Sequence, residues 1–254
     1  MISLVDVPVA LFGIRAGLGS DLALGLADHG AAIALLCVAG ETDAAERTAA
    51  LLASEGRTAA VVEFEAGSGA SVQAGITQAA ARIGPIRGVI DIVAPGPAAT
   101  ASPLSAIDES AWNDRVTVPL RQALHRLQGS YRSLRSAGGR MVVVLPTLSM
   151  SGASGMVPWT TMTEGHRAFT KVAARAWGEE GITVNCVAVP AGMLAGEPVP
   201  GDSLDRPGLP PASLGRLPDP RTDVAETVAG LLGSDMSFLT GQVLAVDGGV
   251  WMTP

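Results

Sequence analysis

The stretch from Arg140 to Val189 restricts the possible folds more than any other part of the chain. It opens with RMVVVLPTLS, passes through a glycine- and serine-rich loop, continues as PWTTMTEGHRAFTKVAARAWGEE and closes with GITVNCVAV. The outer pieces are short runs rich in β-branched residues, the pattern of strands buried on both faces of a parallel sheet. Between them Met162, Gly165, Phe169, Val172, Ala173 and Ala176 recur at helical spacing, with Pro158 in the first turn and Gly181 just past the end. The result is a strand, helix, strand unit, whose crossover is expected to be right-handed.

The same alternation runs through the whole sequence. Val7 to Phe12 reads as a first strand, and AAIALLCVAG, TAAVVEFEAG and GVIDIVAPG follow it, separated by helical segments. This predicts an α/β fold, a doubly wound parallel sheet of the Rossmann type in one domain over residues 1–254. At this length roughly 75% of the unfolded chain's surface can be buried, so no disulfide or metal staple is required. Hydrophobic residues make up 48% of the chain and charged residues 16%, which predicts apolar surface covered by sister subunits. The net charge of −7 with a single lysine, Lys171, leaves no basic stripe for nucleic acid. No run of about 20 apolar residues marks a membrane span, and the start MISLVDVPVALFG carries no basic lead-in of a signal peptide, so the expected location is the cytoplasm. Cys37 and Cys186 lie in apolar strand-like runs and are expected to be buried thiols; two isolated cysteines without ligand spacing also argue against zinc.

Gly13, Gly17 and Gly19 form a GxxxGxG pattern between the first strand and a helix, and ITVN stands at Ile182 to Asn185. With the tail RTDVAETVAGLLGSDMSFLTGQVLAVDGG, these features resemble the short-chain dehydrogenase/reductase family from end to end. The resemblance implies a nicotinamide coenzyme, NAD or NADP, held by Gly13, Arg15, Gly17, Leu18, Gly19 and Glu65. Where the family holds the ribose with an acid, or a 2′-phosphate with an arginine, this chain has Cys37 and Val38, with Glu41 just beyond, so neither coenzyme is selected and binding itself is in question. The family's NNAG segment is replaced by Asp91, Ile92, Val93, Ala94, Pro95 and Gly96. The positions of its Ser, Tyr and Lys fall on Pro146 (or Thr147), Trp159 and Thr163, that of its helical Asn on Pro119, and that of a nicotinamide-holding Thr on Leu194.

Neither an indole nor a hydroxyl at these places titrates near neutrality, and the ~10²–10⁴ in rate that a positioned acid or base contributes has no source there. The expectation is a catalytically degenerate member, a structural subunit of a homo-oligomer or of a hetero-oligomer with an active relative, using its helices at Ser110 to Leu134 and Pro158 to Glu179. The rival expectation is an enzyme with a remodelled site acting on an apolar carbonyl or hydroxyl compound, with Asp91 or His166 carrying the proton. Asp91, at a central strand end, reads equally as an acid/base or as a helix or loop cap, while a lone helical His166 is more often structural. Pro119 is expected to kink its helix, Arg121 and His125 to form an exposed or interface pair, and Tyr131 to lie away from the site. Leu145, Pro146, Met150, Met156, Trp159 and Leu194 make the inherited pocket apolar and are expected to fill it. Residues 190–215, with six prolines from Pro190 to Pro211, read as a stiff pocket lid.

Overall fold

The computed structural model of the chain describes residues 2–14, 17–196 and 212–252. Seven strands form one sheet: β1 (Val9–Phe12), β2 (Ile33–Cys37), β3 (Ala59–Glu63), β4 (Gly88–Ile92), β5 (Arg140–Pro146), β6 (Thr183–Val189) and β7 (Val243–Ala245). Their order is β3-β2-β1-β4-β5-β6-β7, and every neighbouring pair is parallel. Helices cover both faces, so β1, β2 and β4 are buried along their whole length; this is why they read as unbroken apolar runs rather than alternating ones. The edge strand β3 is largely half-exposed.

Helices α1 (Leu18–Asp28), α2 (Thr42–Ser54) and α3 (Gly69–Ile83) follow the first three strands. A short helix α4 (Glu109–Trp112), a π-helical turn Asn113–Thr117 and α5 (Val118–Ala137) form one long helical stretch before β5. Pro119, expected to kink its helix, directly follows that wider turn. The Val118 N–H donates five residues back to the Asn113 carbonyl, and the proline falls in the first turn of α5, where its missing N–H costs least.

After β5 come α6 (Leu148–Ser151), α7 (Val157–Trp177), β6 and α8 (Ala191–Ala195); a π turn Pro220–Val224 and α9 (Ala225–Leu232) precede β7. The face of α7 packed on the sheet carries Trp159, Met162, Thr163, His166, Thr170, Ala173 and Ala174. Val172 and Ala176, which share the helical period seen in the sequence, are instead exposed. Gly165 meets α5: a Cβ there would lie 2.4 Å from the Leu120 side chain, so the missing side chain sets how closely the two helices approach. Both cysteines are buried and free, and among the described residues no helix is long and apolar enough to cross a membrane.

Candidate functional site

Strand order reverses between β1 and β4, and open α/β sheets bind ligands in the crevice outside the carboxyl ends of the strands at that point. The turn from β1 enters this crevice. Gly13 has φ +81°, and a Cβ on it would lie 2.5 Å from the Ile92 carbonyl oxygen, so glycine is required by both backbone conformation and packing. Gly17 has φ +89° and ends the turn as the N-cap of α1, and among the described residues a Cβ there would meet nothing within 4 Å. Leu18 is buried, and a Cβ on Gly19 would lie 3.3 Å from the Gly13 carbonyl. Arg15 lies outside the described residues.

The crevice has two unequal parts. A cavity of about 170 Å³ lies over the ends of β1, β2, β3 and β4, walled by Phe12, Val38, Phe64 and Val93 and floored by Asp91, Arg126 and His166. Beside it, Gly13, Leu18, Gly19, Ile92 and Ala94 face Met193 and Leu194 of α8 across a space of only about 10 Å³. Glu41, the N-cap of α2, lines the larger cavity, and its Oε2 accepts from the Val38 N–H at 3.4 Å. Glu65 is exposed and does not line the cavity; its backbone N–H donates to Ser71 Oγ at 2.9 Å, and the neighbouring Phe64 and Ala66 form the wall.

The cavity floor joins the two weak candidates of the sequence to a residue that sequence reasoning missed. Asp91, only 2% exposed, accepts from Arg126 Nε at 2.9 Å. It is therefore a buried ion-pair partner and not a loop cap. His166, 3% exposed, has Nδ1 2.8 Å from the Met162 carbonyl oxygen. A carbonyl only accepts, so Nδ1 carries the proton and Nε2 presents a lone pair, which has no partner among the described residues. Burial holds the imidazole below its ordinary pKa, and the Asp91 carboxylate acts in the opposite direction. Arg126 follows Asp91 by 35 positions on an amphipathic helix rich in arginine, and no local spacing singles it out.

Trp159 and Thr163 are both fully buried and line none of these cavities. Leu145, Met156 and Leu194 are also packed into the hydrophobic core, with Met150 partly buried against it. Pro146 ends β5, and the Thr147 hydroxyl is buried without a partner. Five of the nine buried side-chain polar atoms that lack a partner among the described residues belong to the segment 147–166: those of Thr147, Ser149, Trp159, Thr163 and His166. Pro119 lines the cavity from α5. His125 does not pair with Arg121; its Nδ1 lies 3.3 Å from the Ala66 carbonyl, while Arg121 is exposed. Tyr131 donates to Glu180 at 2.7 Å, away from the crevice. Of the expected lid, residues 197–211 lie outside the described residues.

Comparison with known proteins places this geometry among its relatives. A family profile described as enoyl-(acyl carrier protein) reductase matches residues 13–251. The chain is 27% identical over 246 residues to a 3-oxoacyl-(acyl-carrier-protein) reductase of Staphylococcus epidermidis, covering 94% of this chain and 97% of the relative. It is 30% identical over 241 residues to a cis-4-hydroxycyclohexanecarboxylate dehydrogenase of Sinomonas cyclohexanicum, covering 93% of each. Among solved structures, a blue fluorescent protein from a metagenomic library, in complex with NADPH, superposes with a TM-score of 0.77 at 26% identity, covering 96% of this chain and 98% of the other. An NADPH-bound short chain oxidoreductase of Pseudomonas aeruginosa, described as containing an atypical catalytic center, shares the fold with a TM-score of 0.82 at 17% identity and full coverage of both chains.

Proposed function

The chain belongs to the short-chain dehydrogenase/reductase family of oxidoreductases, and on that footing we propose that it is a member without the family's Ser-Tyr-Lys chemistry, acting as a non-catalytic subunit of an oligomer. The observation that carries this reading is the complete burial of Trp159 and Thr163 at the positions matching the family's Tyr and Lys. A substrate oxygen cannot reach either side chain, and neither side chain titrates near neutrality. The nicotinamide coenzyme that the family implies fits this crevice only in part. Among the described residues, the positive-φ turn at Gly17 and the 170 Å³ cavity suit its pyrophosphate and adenosine, whereas the 10 Å³ space beneath Met193 and Leu194 suits little more than one water.

Oligomerisation through the outer faces of α5 and α7 is supported by Leu124 and Val172, large apolar side chains left 36% and 66% exposed there. The partner is a second copy or an active relative within the cytoplasm. The test combines mass measurement of the native assembly with turnover assays, using NADH and NADPH with a 3-oxoacyl thioester and with a cyclic hydroxy acid, the substrate classes named for the relatives. The expected result is an oligomer with no turnover by this chain alone. Turnover that survives rigorous purification overturns the reading.

One observation favours the rival reading of a remodelled enzyme: His166 lines the cavity beside the Asp91–Arg126 pair, and its buried Nε2 has no partner among the described residues. On that reading His166 takes a proton from the substrate, and any turnover found is lost in His166→Phe.

A further inference from the structure

Strand β3 lies at one edge of the sheet, and among the described residues no strand pairs with its outer side. Its run from Thr58 to Val62, TAAVV, carries no charge, proline or glycine, and Ala59, Ala60 and Val61 are half-exposed. An edge of this kind is a template for another chain unless something blunts it.

The register fixes which backbone groups face outward. The Ile33 N–H donates to the Thr58 carbonyl at 3.0 Å, and the Phe64 N–H donates to the Cys37 carbonyl at 3.0 Å, so Thr58 and Phe64 both turn toward β2. Backbone groups alternate sides along a strand. Ala60 and Val62 therefore turn inward as well, while Ala59, Val61 and Glu63 present N–H and C=O to the outside. The central outward carbonyl, that of Val61, accepts from Arg82 Nη1, which reaches it from the last turn of α3. Arg82 is exposed and forms no ion pair among the described residues, so its full charge stands at the edge.

The outward groups are self-complementary. Two β3 edges meeting antiparallel about a two-fold axis through Val61 would set Val61 opposite Val61 and Ala59 opposite Glu63. In every such pair the N–H and C=O of both residues face the partner, as an antiparallel ladder requires. No like charges would stand directly opposite each other. The strand that fits this edge is thus a second copy of itself, and the bond from Arg82 sits at the centre of that pairing.

We propose that Arg82 is a guard of the sheet edge, closing β3 to the β3 of a second copy. It acts in two ways. Its guanidinium occupies the Val61 carbonyl, and its charge would meet the same charge on the approaching edge.

Native mass measured by light scattering over a range of protein concentrations, with amide hydrogen exchange on the same samples, tests the assignment. Arg82→Ala is expected at least to double the native mass at high concentration, relative to whatever assembly the unsubstituted protein forms. Exchange of the Val61 and Glu63 amides is expected to slow by about tenfold or more in that assembly. Val61→Pro removes an N–H that the ladder to β2 does not use, so the strand tolerates it, and adding it to Arg82→Ala is expected to restore the original mass. Val61→Lys in its place is expected to do the same, because two ammonium groups would meet at the axis. Neither substitution rebuilds the bond that Arg82 made, so rescue reports edge pairing and not recovered stability.

An Arg82→Ala protein whose mass stays unchanged across the concentration range overturns the proposal. So does an association that survives both Val61 substitutions, or one in which the Val61 and Glu63 amides exchange as fast as before.

Discussion

Stability near pH 6 reports which influence on His166 prevails, burial or the neighbouring carboxylate. Burial holds the folded-state pKa of His166 below the ordinary value of about 6.5, so below that pH the unfolded chain binds a proton that the folded chain refuses. The sign follows: the stability contributed by neutral His166 is complete above pH 6.5, falls as the pH drops through 6.5, and stops falling below the folded-state pKa. Protonation of the unfolded chain alone at pH 5.5 costs about 1.4 kcal/mol relative to neutral pH, which is the upper limit of the effect. Asp91 and Arg126 are the charged groups that act on the ring, and they oppose each other.

The perturbation is His166→Phe, measured by urea denaturation at pH 7.5 and pH 5.5 beside the unsubstituted protein. At pH 7.5 the variant is expected to be less stable, because the Met162 carbonyl, still paired within α7, loses the additional bond from the imidazole. At pH 5.5 the gap is expected to narrow by up to about 1.4 kcal/mol, since the variant has no imidazole to protonate. The exposed titrating groups are common to both proteins and cancel in the difference. A gap that widens on acidification would refute the reasoning, for it would mean that His166 takes up its proton in the folded state and holds it against Asp91.

Arg126→Met strands the Asp91 carboxylate in the interior and is expected to cost about 3–5 kcal/mol of stability in urea, with much of the loss recovered when Asp91→Leu is added. Gly25→Ala places a Cβ 2.2 Å from the Arg221 carbonyl oxygen and 2.4 Å from the Ala225 Cβ, so α1 must move off the π turn before α9; a loss of about 1–3 kcal/mol is expected by thermal or urea unfolding. Burial pushes the Cys186 thiol up to about 11 and raises Cys37 as well, so neither thiol is expected to react with a disulfide reagent in the native protein at pH 8, while both react in denaturant. Rapid native labelling of either would contradict their burial.

The architecture was legible in the sequence because it depends on periodicities that a chain displays along its own length. The apolar runs at Val9–Phe12, Ile33–Cys37 and Arg140–Pro146 could only be strands covered on both faces, and Gly13 and Gly17 stand where the turn between β1 and α1 demands positive φ. The same period misled at Val172 and Ala176, because helical spacing shows that residues share a face without showing whether that face meets the sheet or the solvent.

The site was legible only as a set of substitutions. That Trp159 and Thr163 occupy two family positions is read from the sequence; that both are sealed in the core is a property of packing. Asp91 looked equally like a cap and an acid until α5 brought Arg126 to within 2.9 Å of it. His166 looked like an ordinary helical histidine until its bond to Met162 fixed the proton on Nδ1 and left Nε2 a buried acceptor without a partner among the described residues. Local pattern thus determined the sheet, its helices and the glycine turn. Tertiary contact decided the ion pair, the imidazole's proton and the unequal halves of the crevice, because each depends on distances between segments that the chain's own periodicity does not encode.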